Sequence, residues 1–224
     1  MPRALPPSAW AFPSPRDAEP EGPVALGGDL EPSTLVAAYS RGLFPMPLRS
    51  GALAWFSPDP RAVLEPSDMH VSRTLARSRS RMEVTVDACF TEVMRACADP
   101  SRPHGWIDED FITAYTNLHE LGWAHSIEAW SDGELAGGLY GIAIGSLFAG
   151  ESMFHHRTDG SKVALVGLCE LLGDVREVLL DVQWITPHLE SLGVIEIPRD
   201  EYLDRLDRAV QSPGPAWQAG TSRG

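Results

Sequence analysis

Long hydrophobic runs are missing from this 224-residue sequence. No apolar stretch approaches the roughly 18 residues that a membrane-spanning helix needs. The opening segment, Met1-Pro-Arg-Ala-Leu-Pro-Pro7, also lacks the apolar core of a secretory signal. We therefore expect a cytoplasmic protein that makes no membrane contact.

Cysteine is scarce, with Cys89, Cys97 and Cys169 as the three members. They have no Cys-x-x-Cys spacing and each lies in a helical pattern, so we expect buried, reduced thiols. The seven histidines show no metal-ligand spacing either, since adjacent His155 and His156 would point apart on a strand. The sequence therefore predicts neither a disulfide framework nor a metal site.

Lysine occurs only once, at Lys162, and the formal net charge is −13. This balance argues against a protein that binds nucleic acid over its whole surface. A local basic patch is nevertheless present, because four arginines cluster at Arg73, Arg77, Arg79 and Arg81. Two interpretations of the cluster stay open, namely a solvated helix face and a surface that binds phosphate.

Turn signals and periodicity predict an α+β protein with two unequal domains. Proline and glycine are dense in the first 33 residues, and we place a small N-terminal α/β domain at residues 1–62. A larger domain spans residues 63–210, followed by a disordered tail at residues 211–224. From residue 124 the order is three strands, then helix, strand, helix, strand and helix, which predicts a mixed sheet with helices packed on it.

The predicted strand Val178-Leu-Leu-Asp-Val-Gln-Trp184 carries two polar residues in an inner position. Its period of two puts Asp181 and Gln183 on one face, with Val182 on the other. Burying a carboxylate and an amide costs several kcal/mol (roughly 2–7 for the amide) unless each finds partners. Either a structural network or a functional site therefore covers that face.

The order of elements is similar to the cores of acetyltransferases, in which strands separate to admit an acyl donor. The loop that holds coenzyme A in such enzymes corresponds here to Arg157-Thr-Asp-Gly-Ser-Lys162. Lys162 stands where a second small residue belongs, which disfavours coenzyme A, although a helix N-terminus beside Lys162 is able to hold a phosphate. Two alternatives remain open: a coenzyme-A-dependent N-acetyltransferase, and a non-catalytic adaptor that binds basic N-termini through an acidic groove.

A more specific resemblance runs in order from about residue 12 to residue 206. The sequence resembles the leucyl/phenylalanyl-tRNA protein transferase family. The motifs that carry the resemblance are Leu26-Gly-Gly-Asp-Leu30, Ala38-Tyr-Ser-Arg-Gly-Leu-Phe-Pro45, Trp55-Phe-Ser-Pro-Asp-Pro-Arg61, His70-Val-Ser-Arg73, Ala124-His-Ser-Ile-Glu128, Gly137-Gly-Leu-Tyr-Gly141, Gly150-Glu-Ser-Met-Phe154, Leu180-Asp-Val-Gln183, His188, Ser191-Leu-Gly193 and Glu196-Ile-Pro-Arg199.

The resemblance implies transfer of leucine or phenylalanine from its tRNA to the N-terminal amine of a protein that begins with arginine or lysine, which marks that protein for degradation. It implies no cofactor and no metal, because the aminoacyl ester is already activated. We expect a monomer whose larger domain is acetyltransferase-like.

Site residues follow from the same resemblance. The catalytic candidates are Asp181, Gln183 and Glu151. The candidates for substrate binding are Trp106, Tyr39 and the apolar pocket residues Leu139, Phe148, Leu168, Leu172 and Leu180. The candidates for tRNA binding are Arg73, Arg77, Arg79, Arg81 and Lys162.

Overall fold

The computed structural model describes residues 2–101, 105–217 and 221–222, and its N-terminal part contains a small antiparallel sheet. After a 3-10 turn at Pro15–Asp17 come β1 (Pro23–Leu26), α1 (Pro32–Tyr39), β2 (Phe44–Pro47) and β3 (Leu53–Phe56). The strand order is β1-β3-β2. Pro45 and Pro47 therefore lie on an edge strand, where a missing N–H is tolerated.

The larger sheet has eight strands. They are β4 (Arg61–Leu64), β5 (Glu83–Val86), β6 (Ala124–Ser131), β7 (Glu134–Ile144), β8 (Leu147–His155), β9 (Leu179–Gln183), β10 (Ile195–Ile197) and β11 (Thr221–Ser222), in the order β10-β4-β9-β8-β7-β6-β5-β11. The chain enters it directly after β3, since β4 begins at Arg61. Adjacent strands are antiparallel except β8 and β9, which are parallel. The expected α+β class, with a small N-terminal sheet and a larger mixed sheet, is confirmed.

Helices cover both faces of the larger sheet. They are α2 (Arg73–Arg79), α3 (Phe90–Cys97), α4 (Glu109–Glu120), α5 (Gly160–Leu172), α6 (Pro187–Glu190) and α7 (Arg199–Ala209), with a 3-10 turn at Pro66–Asp68. Tyr140 and Ile142 of β7 join the core under α3 and α4, whereas Leu139 and Ala143 join the core under α5. This alternation follows from the strand period of two.

Two glycines let α5 lie directly on β7. A Cβ on Gly137 would lie 2.5 Å from the carbonyl carbon of Gly160, and a Cβ on Gly160 would overlap the carbonyl oxygen of Ala136. Only glycine allows this approach of two backbones. The first turn of α5 is thereby fixed against the sheet, and the apolar side of the helix covers the β7 and β8 strands.

The parallel pair β8 and β9 separates after a short pairing. The paired residues end at Ala149 and Asp181, yet β8 continues to His155. Gly150 stands at the point of separation. The two strands thus leave an opening between them, at the place where the motifs of Glu151 and Gln183 begin.

The C-terminal segment differs from the sequence expectation. We expected a disordered tail at residues 211–224, but residues 211–217 are placed, and Thr221 and Ser222 pair with β5. An aromatic anchor explains the difference, because the Trp217 ring stacks on His125. Residues 218–220 and 223–224 lie outside the described residues. The division at residue 62 stays a prediction, and β4 crosses it as a strand of the larger sheet. None of the helices in the described ranges is long and apolar enough to cross a membrane.

Candidate active site

A pocket of about 480 Å³ opens where β8 and β9 separate. Its inner wall is apolar and draws on three strands and one helix, through Leu139, Phe148, Leu168 and Leu180. Polar groups gather at one side of this wall. The other lining residues are Gly150, Glu151, Ser152, Met153, His155, Ser161, Leu165, Val182, Gln183, Thr186, His188 and Leu189.

Gln183 faces this pocket because the regular alternation of β9 breaks at its end. Its backbone has φ +60°, in the left-handed region, which is uncommon for a residue other than glycine. The register against β4 also shifts, so that Ala62 pairs with Gln183 while the next residue, Val63, pairs with Asp181. Such a bulge re-aims a side chain. Gln183 and Val182 both line the pocket as a result.

Asp181 is turned away from the pocket and bound to an arginine. Arg61 donates from Nε to Oδ1 at 2.9 Å and from Nη2 to Oδ2 at 2.7 Å, and both side chains are 1% exposed. The hydroxyl of Tyr202 donates to Oδ2 at 2.9 Å, and the backbone N–H of Gln183 donates to Oδ1 at 3.0 Å. The carboxylate is therefore saturated, and one of its bonds holds the backbone of Gln183 in its unusual conformation.

The expectation that Asp181 and Gln183 share one face is thereby corrected. Period-two alternation would hold only for a regular strand, and the bulge and the positive φ of Gln183 interrupt it. The same interruption turns Val182 toward the pocket, against the prediction from alternation. It also places Trp184 edge-on against Phe44 of the small sheet, with ring centroids 4.8 Å apart.

The Glu151 carboxyl group joins Gln183 at the mouth of the pocket. Gln183 Nε2 donates to Oε1 at 3.3 Å, and the hydroxyl of Tyr115 donates to Oε2 at 3.3 Å. The hydroxyl of Tyr39 lies 2.6 Å from that of Tyr115 and extends the chain. Burial raises the pKa of Glu151 to about 8, and the charge of Asp181 adds to this, while hydrogen bonds from the tyrosines oppose it. This carboxyl group therefore gains and loses a proton near neutral pH.

Comparison with known proteins identifies the family. The family model described as leucyl/phenylalanyl-tRNA protein transferase matches residues 63–207, and the model of the N-terminal domain of that family matches residues 28–59. The chain belongs to this family. The resemblance seen in the motifs is thus confirmed.

Curated members of this transferase family cover nearly the whole chain. A leucyl/phenylalanyl-tRNA protein transferase of Anaeromyxobacter sp. (strain Fw109-5) is 50% identical over 92% of this chain and 90% of the relative. That of Nitrosomonas europaea is 48% identical over 88% of this chain and 85% of the relative. That of Idiomarina loihiensis is 44% identical over 96% and 94%. The chain therefore spans both domains of its transferase relatives.

The family-derived pocket residues are brought together in part. Leu139, Phe148, Leu168 and Leu180 line the pocket, whereas Leu172 is fully buried in the core behind it, and contact of any of them with substrate stays a prediction. Helix periodicity places Leu172 one turn beyond Leu168, on the same face but farther along the helix than the opening reaches.

Two aromatic candidates of the transferase family lie outside the pocket lining. Tyr39 is 2% exposed and reaches the site through its hydroxyl, which contacts the hydroxyl of Tyr115 and forms a hydrogen bond with Glu151. Trp106 packs edge-on against Phe111, with ring centroids 5.1 Å apart, and is partly buried against the core beneath α4. A direct contact of either ring with substrate stays a prediction.

The arginine cluster lies on α2 beside the pocket helix α5. Arg73, Arg77 and Arg81 are exposed, and the buried Leu75 fixes α2 to the core that α5 shares. Arg79 forms an ion pair with Glu170 of α5, with Nη2 and Oε2 2.8 Å apart. The role of this surface in tRNA binding stays a prediction for this family member.

Lys162, in the first turn of α5, is already paired with a carboxylate. Asp159 is the N-cap residue, with φ +66°, and its Oδ1 lies 3.3 Å from Nζ of Lys162. Ser78 of α2 donates to the other oxygen at 2.9 Å. The carboxylate makes no capping hydrogen bond to the N–H groups of the helix, so Lys162 and Ser78 are the partners that hold it.

Three side chains with metal-ligand chemistry meet at the end of β6, although their spacing in the sequence did not indicate it. The ligand atoms of Asp87, His119 and His125 lie within 4.8 Å of one another. Hydrogen bonds account for the contacts, since Nδ1 of His125 lies 2.7 Å from Asp87 and Nδ1 of His119 lies 2.9 Å from the carbonyl oxygen of Ala124. We interpret the group as a structural network.

Sequence reasoning missed two partners of the site. Arg61 was visible only as the last residue of a motif, and its pairing with Asp181 joins positions 120 residues apart. Tyr115 is a buried residue of α4 that no motif singles out, and its hydroxyl reaches Glu151. A buried tyrosine usually finds a partner for its hydroxyl, which is the one signal that pointed to it.

Proposed function

We propose that this protein transfers leucine or phenylalanine from aminoacyl-tRNA to the N-terminal amine of proteins that begin with arginine or lysine. The observation that carries the proposal is the apolar pocket with Glu151 and Gln183 at its mouth. Family membership and the names of the relatives support the same reaction.

The pocket suits the side chain of the transferred amino acid. Its volume of about 480 Å³ falls within the roughly 300–1,000 Å³ of small-molecule sites. Leu139, Phe148, Leu168 and Leu180 offer no charged or hydroxyl group, so they favour a branched aliphatic or aromatic side chain over a polar one. Binding this side chain holds the ester carbon beside the polar mouth.

The polar mouth suits an amine nucleophile. An α-ammonium group has a pKa of about 7.7–8.0 in water. Burial raises the pKa of Glu151 to about 8, so a proton passes from the acceptor's ammonium to the carboxylate at little cost in free energy. Gln183 donates from Nε2 to Glu151, which leaves its carbonyl oxygen to accept a hydrogen bond from the amine. Together they deliver a neutral, oriented nucleophile.

The proposed reaction then balances without a further reactant. The amine nitrogen forms a bond with the ester carbon, the bond between that carbon and the ribose oxygen of the tRNA breaks, and a proton of the amine passes to the leaving oxygen. The proton that Glu151 took from the ammonium group is released to water, which restores the carboxylate. The products are an amide and a free tRNA end. Asp181 acts through its bond to the Gln183 backbone and is a positioning residue in this scheme.

The tRNA body would lie along α2. Arg73, Arg77 and Arg81 are exposed on or just after this helix, which packs beside α5 and its pocket residues. Guanidinium groups suit phosphate contacts, and a local patch is compatible with a net charge of −13. Arg79 and Lys162 already pair with carboxylates, so we expect weaker contributions from them.

The proposal places the protein in the cytoplasm, because its substrates are charged tRNA and finished protein N-termini, and it takes the protein to act as a monomer. Sedimentation of the purified chain and fractionation of cells test these two points. A 1:1 complex with tRNA is the expected assembly.

A transfer assay tests the function directly. Radiolabelled leucyl-tRNA and phenylalanyl-tRNA are each incubated with the protein and a peptide that begins with arginine. The same peptide with an acetylated N-terminus is the matched control, since it lacks the amine. Label in the first peptide alone supports the proposal, and no label with either tRNA rejects it.

Acetylation of the peptide by acetyl coenzyme A without tRNA would favour the acetyltransferase alternative. Peptide binding that never leads to transfer would favour the adaptor.

A further inference from the structure

The C-terminal segment packs closely on the turn between β7 and β8 and forms a hydrogen bond with it. The backbone N–H of Ser146 donates to the carbonyl oxygen of Ala209 at 2.9 Å. A Cβ on Gly145 would lie 2.5 Å from that same oxygen and 2.6 Å from the carbonyl oxygen of Ser212, and a Cβ on Gly214 would overlap Gly145. The chain after α7 therefore lies directly on the turn that leads into the pocket strand β8.

Beyond this turn, Trp217 covers the back of the pocket wall. Its ring stacks on His125 of β6, with centroids 4.2 Å apart and planes inclined by 7°. It also lies 5.5 Å from the ring of Phe148, with planes inclined by 33°. Phe148 is fully buried and lines the pocket. One aromatic side chain thus stands between the substrate pocket and Trp217.

Phe148 is confined on a second side. A Cβ on Gly141 would lie 2.6 Å from Cε1 of Phe148, so the phenyl ring packs closely against the backbone of β7. Leu180 is its paired neighbour on β9. Because close-packed interiors leave little free space, the ring has freedom to move only toward the pocket or toward Trp217.

We propose that Trp217 is a positioning residue that holds the Phe148 ring and thereby sets the donor preference between leucine and phenylalanine. The inference rests on the proposed function. Trp217 lies beyond residues 63–207, the part that the family model matches, so the family pattern does not assign it. Removing the indole leaves a space behind Phe148, into which the ring withdraws, and the deeper pocket favours the larger donor.

Substitution of Trp217 tests the proposal through the ratio of kcat/KM for phenylalanyl-tRNA to that for leucyl-tRNA. In Trp217→Ala we expect this ratio to rise about tenfold, at the lower end of the range for one methylene-sized change in an apolar pocket. Trp217→Phe, which keeps a ring behind Phe148, should stay within about twofold of the unchanged protein. A change in the ratio is a readout that a general loss of stability does not produce.

A chain that ends at Trp217 is the matched control. It removes the pairing of Thr221 and Ser222 with β5 but keeps the indole, so its donor ratio should be unchanged. If Trp217→Ala does not fold, Trp217→Leu takes its place, with the same direction expected. An unchanged ratio in every folded variant, or an equal change in the chain that ends at Trp217, overturns the proposal.

Binding without transfer separates this inference from the proposed function. Calorimetry with non-reactive 3′-amide analogues of leucyl-adenosine and phenylalanyl-adenosine gives the ratio of the two Kd values for each variant. If the unchanged protein transfers no amino acid but binds these analogues, the proposed function fails, and the Kd ratio still decides the role of Trp217. If it binds neither analogue, the present inference fails together with the pocket assignment.

Discussion

Two buried polar clusters meet at β9, and they differ in how completely their hydrogen-bonding groups are used. In the first, Asp181 accepts four hydrogen bonds, from Arg61, Tyr202 and the backbone of Gln183. In the second, the Glu151 carboxyl group has contacts of 3.3 Å with Tyr115 and Gln183 and a further hydrogen bond with Tyr39, and the group faces a pocket. The first cluster is closed and the second is open.

The difference separates a structural role from a chemical one. A saturated ion pair at 1% exposure has no group left for a substrate, and its geometry is fixed. A carboxyl group that faces a pocket, and whose pKa burial raises to about 8, can still exchange a proton and meet a new partner. The motif that contains Asp181 and Gln183 therefore joins the two clusters, because Asp181 belongs to the ion pair and the Gln183 side chain contacts Glu151.

Breaking the closed cluster should have the largest effect on stability. Asp181→Ala leaves the guanidinium of Arg61 buried without its carboxylate, which costs about 3–5 kcal/mol of the free energy of unfolding. Urea unfolding measures this loss. Asp204→Ala removes an exposed ion pair with Arg16 and serves as the control, with no measurable change expected. A loss of stability as small as in the control would contradict the clamp.

Gln183→Ala should affect activity and leave the fold intact. The side chain is needed to orient the acceptor amine, and a misplaced nucleophile costs about 100-fold in rate. We expect kcat/KM to fall by about that factor, while the free energy of unfolding changes by no more than about 1 kcal/mol. Val182→Ala, which alters the adjacent pocket residue, should reduce kcat/KM less than about tenfold. Equal losses in the two variants would place Gln183 among the ordinary wall residues.

The pH dependence of stability tests the open cluster. Burial raises the pKa of Glu151 from 4.5 to about 8 in the folded protein. A carboxyl group with a raised pKa binds its proton more tightly in the folded state, so its contribution is greatest below pH 4.5 and is lost as the pH rises through 8. The free energy of unfolding should therefore fall with pH in this window, by at most about 1.4 kcal/mol per pH unit.

Glu151→Gln is the matched variant for this measurement, because glutamine keeps the shape and cannot titrate. Unfolding of both proteins between pH 5 and pH 9 gives the difference curve. We expect the unchanged protein to lose stability relative to Glu151→Gln as the pH rises. A flat difference curve would show that the carboxyl group titrates as an exposed glutamate does.

The sequence predicted the open cluster better than the closed one. The hairpin at Asp132-Gly133, the helix α5 and the strand β9 follow from local signals, since turn residues and periodicity act over a few positions. Glu151 and Gln183 were found through motifs. The partner of Asp181 was not found, because Arg61 lies on β4 and meets β9 only through sheet pairing.

The direction of Gln183 could not be read from the sequence for the same reason. Its positive φ and the register shift depend on how β4 pairs with β9, and no local pattern reports this. The order of the C-terminal segment was missed because its composition resembles a tail, while one aromatic residue, Trp217, finds a stacking partner on a distant strand. Local patterns therefore identified the elements, and long-range contacts decided which side chains reach the pocket.

The smallest effect is expected for the exposed arginines of α2, which contrast with the buried Arg61. Arg61 is closed off by its partners, whereas Arg73 and Arg77 of α2 face solvent. Replacing either exposed arginine with alanine should raise KM for aminoacyl-tRNA by a few fold at low salt and leave kcat unchanged. Each lost phosphate contact should also lower the slope of log affinity against log salt concentration by about 1.

Arg208→Ala is the control for this experiment, since Arg208 is exposed on α7 and pairs with Glu177. Filter binding of tRNA over a range of salt concentrations measures the slope for all three variants. Equal slopes in Arg77→Ala, Arg208→Ala and the unchanged protein would remove α2 from the tRNA interface. A reduced slope in the α2 variants alone would show that these guanidinium groups bind tRNA phosphates. Like the open cluster at the pocket, they would then be groups that contact a substrate.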